Sequence, residues 1–96
     1  MSMANKAEFL QLISKAISVA EDIAHASEGT AEGWMAIDAL STADQLRRIA
    51  DQVNTGAIPP SNGAGLGITR ALSEWAPERL YNAGKEVEDY YRQHWM

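Results

Sequence analysis

The chain has 96 residues, carries 8 Lys and Arg against 13 Asp and Glu, and has a formal net charge of -5. It contains no cysteine, which excludes disulfides, thiolate zinc sites and cysteine nucleophiles. The acidic balance argues against non-specific nucleic-acid binding and against docking on anionic membranes, because both need a basic surface. We therefore expect one domain over residues 1–96, in the cytoplasm, with neither a nucleic-acid nor a membrane partner.

The first third of the sequence predicts one amphipathic α-helix from about residue 5 to 27. Its apolar side chains recur every three or four residues, which places them on one helical face. Gly29 is typical of the position just past a helix end. The predicted apolar face consists of Phe9, Leu10, Ile13, Ala16, Ile17, Ala20, Ile23 and Ala24.

A second helix is predicted from about residue 31 to 54, with Thr30 as its N-cap. Thr42 and Gln45 have the spacing of a capping box, so two shorter helices are the alternative to one long helix. Two groups of residues define the predicted face. The main stripe is Met35, Ala39, Leu46, Ile49, Ala50 and Val53, with Ala36, Leu40 and Ala43 beside it.

The rest of the chain predicts a loop and two further helices. Residues 55–65 hold two prolines and three glycines, which predicts a flexible loop inside one domain. A short helix should follow over residues 66–75, and a last helix over 77–95 with Pro77 at its first position. No strand-like alternation occurs, so we expect an all-α, single-domain bundle of about four helices.

The last helix has a predicted seam that contains a glycine. Its seam residues are Leu80, Gly84, Val87, Tyr91 and either His94 or Trp95. A glycine inside a helix costs roughly 1 kcal/mol relative to alanine. A close helix crossing at Gly84 would explain this residue, with Trp34 or Trp75 as the expected neighbour; a kink in the helix and neutral drift are the alternatives.

One group of side chains has an incomplete metal-ligand pattern. Glu21, His25 and Glu28 lie at i, i+4 and i+7 on one side of the first helix. A di-iron bundle needs a second carboxylate–histidine motif, but Tyr91 occupies the position three residues before His94. We therefore expect no cofactor, and keep a metal-binding bundle as an alternative.

No other motif predicts chemistry. The glycine-rich stretch at residues 62–67 lacks the preceding strand and following Lys-Ser/Thr of a nucleotide-binding loop. No serine has the context of a nucleophile elbow. We predict no catalytic residue, and the sequence favours a non-enzymatic role without excluding an enzyme.

Aromatic residues are concentrated near the end of the sequence. Tyrosine and tryptophan are enriched at protein interfaces, because they bury a large area and keep a polar end. The alternative is that these rings cover the bundle's own core. The predicted partner-binding residues are Trp75, Tyr81, Tyr90, Tyr91 and Trp95.

A local resemblance concerns the segment Ala-Glu-Phe-Leu-Gln-Leu at residues 7–12. It is similar to the start of the first helix in the colicin DNase immunity proteins, and Gly67-Ile68 with Trp75 resembles their last helix. The resemblance implies an acidic four-helix inhibitor. That family's nuclease-contacting segment, Asp-Leu-Ile-Tyr-Tyr-Pro, is absent, and Tyr90-Tyr91 lies in a different element.

These observations favour a small acidic helical protein-interaction module that binds protein, most readily a copy of itself as a homodimer or larger assembly. One alternative is an immunity-type inhibitor of a basic toxin or nuclease, with salt-sensitive binding. The other is the metal-binding bundle that would use Glu21, His25 and Glu28.

Overall fold

The computed structural model describes residues 3–61 and 65–95, and it is all-α, as the periodicity predicts. Four helices follow in chain order, and they agree with the predicted number. None of the described helices is long and apolar enough to cross a membrane. The helices are α1 (Met3–Ser27), α2 (Gly33–Thr55), α3 (Ile68–Leu72) and α4 (Glu78–His94).

Helices α1 and α2 form a long hairpin whose contact seam is built from alanine. The connecting turn uses Gly29 at a φ of +71°, a conformation that suits glycine because it has no Cβ. Small side chains let two helix backbones approach closely, while larger buried residues such as Phe9 on α1 and Leu46 on α2 lie farther from the turn. The buried alanines are Ala16, Ala20 and Ala24 on α1 and Ala36, Ala39 and Ala43 on α2.

Helix α2 is one continuous element, so the long-helix prediction is confirmed. The hydroxyl of Thr42 donates to the carbonyl of Asp38 at 2.9 Å and so does not start a new helix. The prediction that Thr30 is the N-cap is wrong. Glu32 is the N-cap, and the Thr30 hydroxyl lies in the preceding turn, where it donates to the Ser27 carbonyl at 2.7 Å.

Helix α4 packs antiparallel against the first half of α1. Lys15 pairs with Glu86 at 3.2 Å, and the Tyr90 hydroxyl donates to Glu8 at 3.0 Å. Helix α3 packs on α4. Within the described residues, α2 has no close backbone approach to α3 or α4, so one side of α2 is left uncovered by other helices.

Gly84 lies at the crossing of α3 and α4, and its predicted burial is confirmed. The predicted neighbours, Trp34 or Trp75, are wrong. A Cβ built at Gly84 would lie 2.5 Å from Cδ1 of Leu72 and 3.0 Å from Cγ2 of Ile68. Helix α3 is also shorter than predicted, since Gly67 before it has a φ of +79° and Trp75 follows in a turn.

The described part of the 55–65 loop is anchored to α4. Ile58 and Ser61 are buried, and the Tyr91 hydroxyl donates to the Pro59 carbonyl at 2.7 Å. The Ser61 amide donates to the Trp95 carbonyl. Residues 62–64, the first half of the glycine-rich stretch at residues 62–67, lie outside the described residues.

Candidate functional site

Three large apolar side chains are exposed on the outer side of α2. Trp34 is 50% exposed, Ile37 is 72% exposed and Leu40 is 46% exposed. They follow each other at intervals of three residues, so they form a continuous row along the helix surface. We call these three residues the α2 row. Large contiguous apolar patches on a protein surface are often sites of interaction, which makes the α2 row a candidate site.

The composition of the hairpin seam explains why this row faces outward. Ala36, Ala39 and Ala43 face α1 and are buried, so the inner side of α2 is occupied by small residues. Ile37 is offset from that alanine line and is exposed, whereas Leu40, at the edge of the line, lines a pocket with α1 residues such as Ala24 and is still 46% exposed. From the sequence, Leu40 was expected beside the buried stripe and Ile37 had no assigned place. The spacing of the three alanines is a signal for the inner side of α2, although it does not by itself show that α1 approaches there.

A small pocket lies beside Leu40, between α1 and α2. Its lining includes the three residues of the predicted metal cluster, Glu21, His25 and Glu28, together with Ala24. The Glu21 carboxylate is engaged by Arg47 at 2.6 Å. Among the described residues, no group of three His, Cys, Asp or Glu side chains is placed to hold a metal ion. The three predicted ligands therefore share a pocket without forming a ligand set.

Charged residues flank the α2 row on both sides. Glu28 and Glu32 lie in the turn before it, are exposed, and have no ion-pair partner in the described structure; we call them the acidic turn. Arg47 lies beyond the row and pairs with Asp44 at 3.2 Å as well as with Glu21. Arg48 is exposed and has no partner among the described residues.

The C-terminal aromatic residues form contacts within the chain. Phe9 is at the centre, with its ring centroid 4.6 Å from that of Trp95, 5.7 Å from Tyr90 and 6.3 Å from Tyr91. Tyr91 and Trp95 are buried. Trp75, Tyr81 and Tyr90 are half-buried and pack against the core. All five predicted partner-binding rings therefore lie in the core or pack over it. Their contact with a partner stays a prediction.

The hydroxyl groups of the paired tyrosines are also engaged within the chain. Tyr90 donates to Glu8 and to the Asn5 carbonyl, the latter at 3.2 Å. Burial, and next the hydrogen bond and negative charge of Glu8, raise the pKa of Tyr90. Burial raises the pKa of Tyr91. Both shifts favour the neutral phenol over the phenolate.

Glu88 is a buried carboxylate that no sequence pattern singled out. It is 1% exposed and accepts the Ile68 amide at 2.8 Å and the Thr69 hydroxyl. Arg92 lies 3.6 Å away on the same helix. These partners occupy its carboxylate oxygens, so hydrogen bonds to Glu88 connect the start of α3 to α4.

No known family model matches the chain, and no curated protein or solved structure is significantly similar to it. The resemblance to the immunity proteins therefore finds no support in these comparisons, and the inhibitor alternative stays a prediction. The surface of α2 is the feature on which a functional proposal can rest.

Proposed function

We propose that this protein is a small interaction module that self-associates through the outer side of α2. The observation that carries this proposal is the exposure of Ile37, which is 72% accessible on a helix that α3 and α4 do not cover. Trp34 and Leu40 extend the same apolar surface. Tryptophan is among the residues that contribute most to binding energy when an interface buries it.

Burial of the α2 row would supply the free energy of association. Burying a side chain such as isoleucine contributes about 1.5–3 kcal/mol relative to leaving it in water. In a symmetric dimer every residue of the row contributes twice, because each copy presents the same surface. The gain is smaller for Trp34 and Leu40, which are already about half buried, and it must exceed the cost of association, about 4–15 kcal/mol.

Sedimentation velocity over roughly 1–200 µM, the range of weak to moderate affinities, tests the proposal. We expect the wild-type protein to form dimers or larger species. Ile37→Glu should weaken association at least about tenfold, since it removes apolar area and places a carboxylate in the interface. Because Ile37 is exposed, this change should alter folding stability by no more than about 0.5 kcal/mol.

Asn82→Glu is the matched control. Asn82 is an exposed residue of α4, and this substitution adds the same negative charge away from α2. It should leave association unchanged. A wild-type protein that remains monomeric over the whole range, or an Ile37→Glu variant that associates like wild type, would contradict the proposal.

A further inference from the structure

The α2 row is short and lies obliquely on its helix. Its residues follow each other at intervals of three, and a line of side chains with this spacing is inclined by about 45° to the helix axis. From Trp34 to Leu40 the row covers about 9 Å of helix length. That length is close to the diameter of an α-helix with its side chains, about 10–12 Å. The row therefore fits a helix that lies across α2 better than a helix that runs alongside it.

We infer that two copies associate with their α2 helices crossed at roughly 90°, with Ile37 of each copy at the crossing point. We call this arrangement the crossed pair. Because it takes the α2 row as the interface, it rests on the proposed function. Ile37 is the middle residue of the row and, at 72%, its most exposed member. A twofold axis at Ile37 places the two rows against each other, so apolar side chains of one copy cover those of the second.

The crossing angle follows from the direction of the row. In a face-to-face pair the second helix is turned over, so the two rows are inclined to their helix axes in opposite senses. The rows lie along one another when the two inclinations add, and twice 45° gives a crossing of about 90°. In a parallel or antiparallel pair the rows would diverge on either side of Ile37 and leave Trp34 and Leu40 incompletely covered. Crossings near 90° are less common than shallow ones, and here the short oblique row selects one.

The charged residues farther along α2 also agree with the crossed pair. Asp44, Arg48 and Asp51 are exposed, and helical spacing returns each of them to within about 40° of the direction of Ile37. In a parallel pair each charge would lie against its own equivalent, where like-charge repulsion and loss of water are unfavourable. In the crossed pair Arg48 lies about 16 Å along α2 from the crossing point, beyond the half-width of the second helix, about 6 Å. Arg48 and Asp51 therefore stay in water.

Distances between spin labels measure the crossing angle, and the chain has no cysteine of its own to interfere. Gln52 is exposed and lies about 22 Å along α2 from Ile37. With helix axes about 9 Å apart, two Gln52→Cys positions would be about 33 Å apart in the crossed pair, about 46 Å in an antiparallel pair and about 9 Å in a parallel pair. Pulsed electron paramagnetic resonance at about 200 µM protein should give the crossed-pair distance.

Ser41→Cys is the matched control for this measurement. Ser41 is exposed and lies one turn from Ile37, so its labels should be within about 15 Å of each other in any pair that uses the α2 row. A short distance at Ser41 with the parallel or antiparallel distance at Gln52 would overturn the crossed pair and leave the α2 row as the interface. A long distance at Ser41, or no dipolar coupling at either position, would overturn both proposals.

Charge reversal at Arg48 provides an independent test by sedimentation velocity. In the crossed pair Arg48→Glu, alone or mixed with wild type, should associate within about twofold of Arg70→Glu, because both changes then act only through screened long-range charge. Arg70 is exposed on α3, so it is a control for the change in net charge. A mixed dimer that is tighter than either homodimer would indicate a parallel pair, because glutamate would face arginine. Weaker association of Arg48→Glu than of Arg70→Glu would place Arg48 in the interface. Either result would overturn the crossed pair.

Discussion

The carboxylate of Glu88 accepts the backbone amide of Ile68 at 2.8 Å, across a separation of twenty residues. It accepts the Thr69 hydroxyl as well, so one buried side chain satisfies donors at the first turn of α3. The first amides of a helix have no partner inside it, and a helix as short as α3 depends on an external acceptor.

We expect Glu88→Ala to lower the free energy of unfolding by about 2–4 kcal/mol, because buried donors left without an acceptor cost about 1–3 kcal/mol each. Urea unfolding followed by circular dichroism measures the change. Glu86→Ala is the control, as Glu86 is exposed on the same helix and pairs with Lys15 at the surface. That pair should contribute only about 0–1 kcal/mol. Equal effects of the two substitutions would show that the α3 contacts contribute little.

Gly84→Ala should destabilise the protein by about 1 kcal/mol. The new methyl would lie 2.5 Å from Leu72 Cδ1, and overpacking typically costs about 1–3 kcal/mol. The gain in helix propensity, roughly 1 kcal/mol, offsets part of this cost. Thermal and urea unfolding should both show the loss.

Gly33→Ala is the matched control for that experiment. Gly33 is the first residue of α2, its φ is not in the left-handed region, and an added Cβ would contact nothing within 4 Å. This substitution should stabilise by about 0.4–1 kcal/mol, chiefly through the unfolded chain. A clear increase in stability for Gly84→Ala would mean that α3 can move away from α4 at low cost.

Alkaline pH should destabilise the protein through Tyr90 and Tyr91. Their pKa values in the folded state are raised above the ordinary value of 10.0, so the folded state holds these protons more tightly than the unfolded state. The two protonated phenols therefore contribute their full stabilisation of the folded state below pH 10.0. This contribution is lost as the pH rises through the folded-state pKa values.

Urea unfolding at about pH 8 and about pH 10.5 measures this loss. The double variant Tyr90→Phe with Tyr91→Phe should lose less stability between the two pH values than wild type. Tyr81→Phe serves as the control, because the Tyr81 hydroxyl has no hydrogen bond among the described contacts. An equal loss in the double variant and wild type would assign the pH dependence to other groups.

Metal addition should leave the protein unchanged. Glu21 is engaged by Arg47, and a zinc site requires three or four converging ligands. We expect protein purified without chelators to contain no stoichiometric zinc, iron or manganese, and zinc titration to leave the melting temperature constant. Elemental analysis that finds one metal equivalent, lost in His25→Ala, would contradict this prediction.

The sequence predicted the helices where apolar periodicity decides the structure. Gln11 and Asp22 are exposed and Ile13 and Ala20 are buried, as the three-and-four spacing on α1 requires. Gly29 and Gly56 end their helices because each adopts a positive φ. The buried seam of α4 was also predictable, and Trp95 completes it while His94 is exposed.

Features that depend on contacts between distant residues could not be predicted in the same way. The burial of Glu88 requires the position of α3, which periodicity does not give. The outward orientation of Ile37 follows from which line of α2 faces α1, and that choice depends on the close approach that Ala39 and Ala43 permit. The identity of the residue against Gly84 likewise depends on how α3 crosses α4.

The position of α3 has a consequence for how the protein opens. Among the described helices, α3 approaches only α4, and the Glu88 carboxylate holds its first amides. Regions with few tertiary partners open locally without global unfolding. Amide protons of α3 should therefore exchange with solvent faster than those in the middle of α1 and α2, and Glu88→Ala should accelerate exchange in α3 while leaving the hairpin amides nearly unaffected.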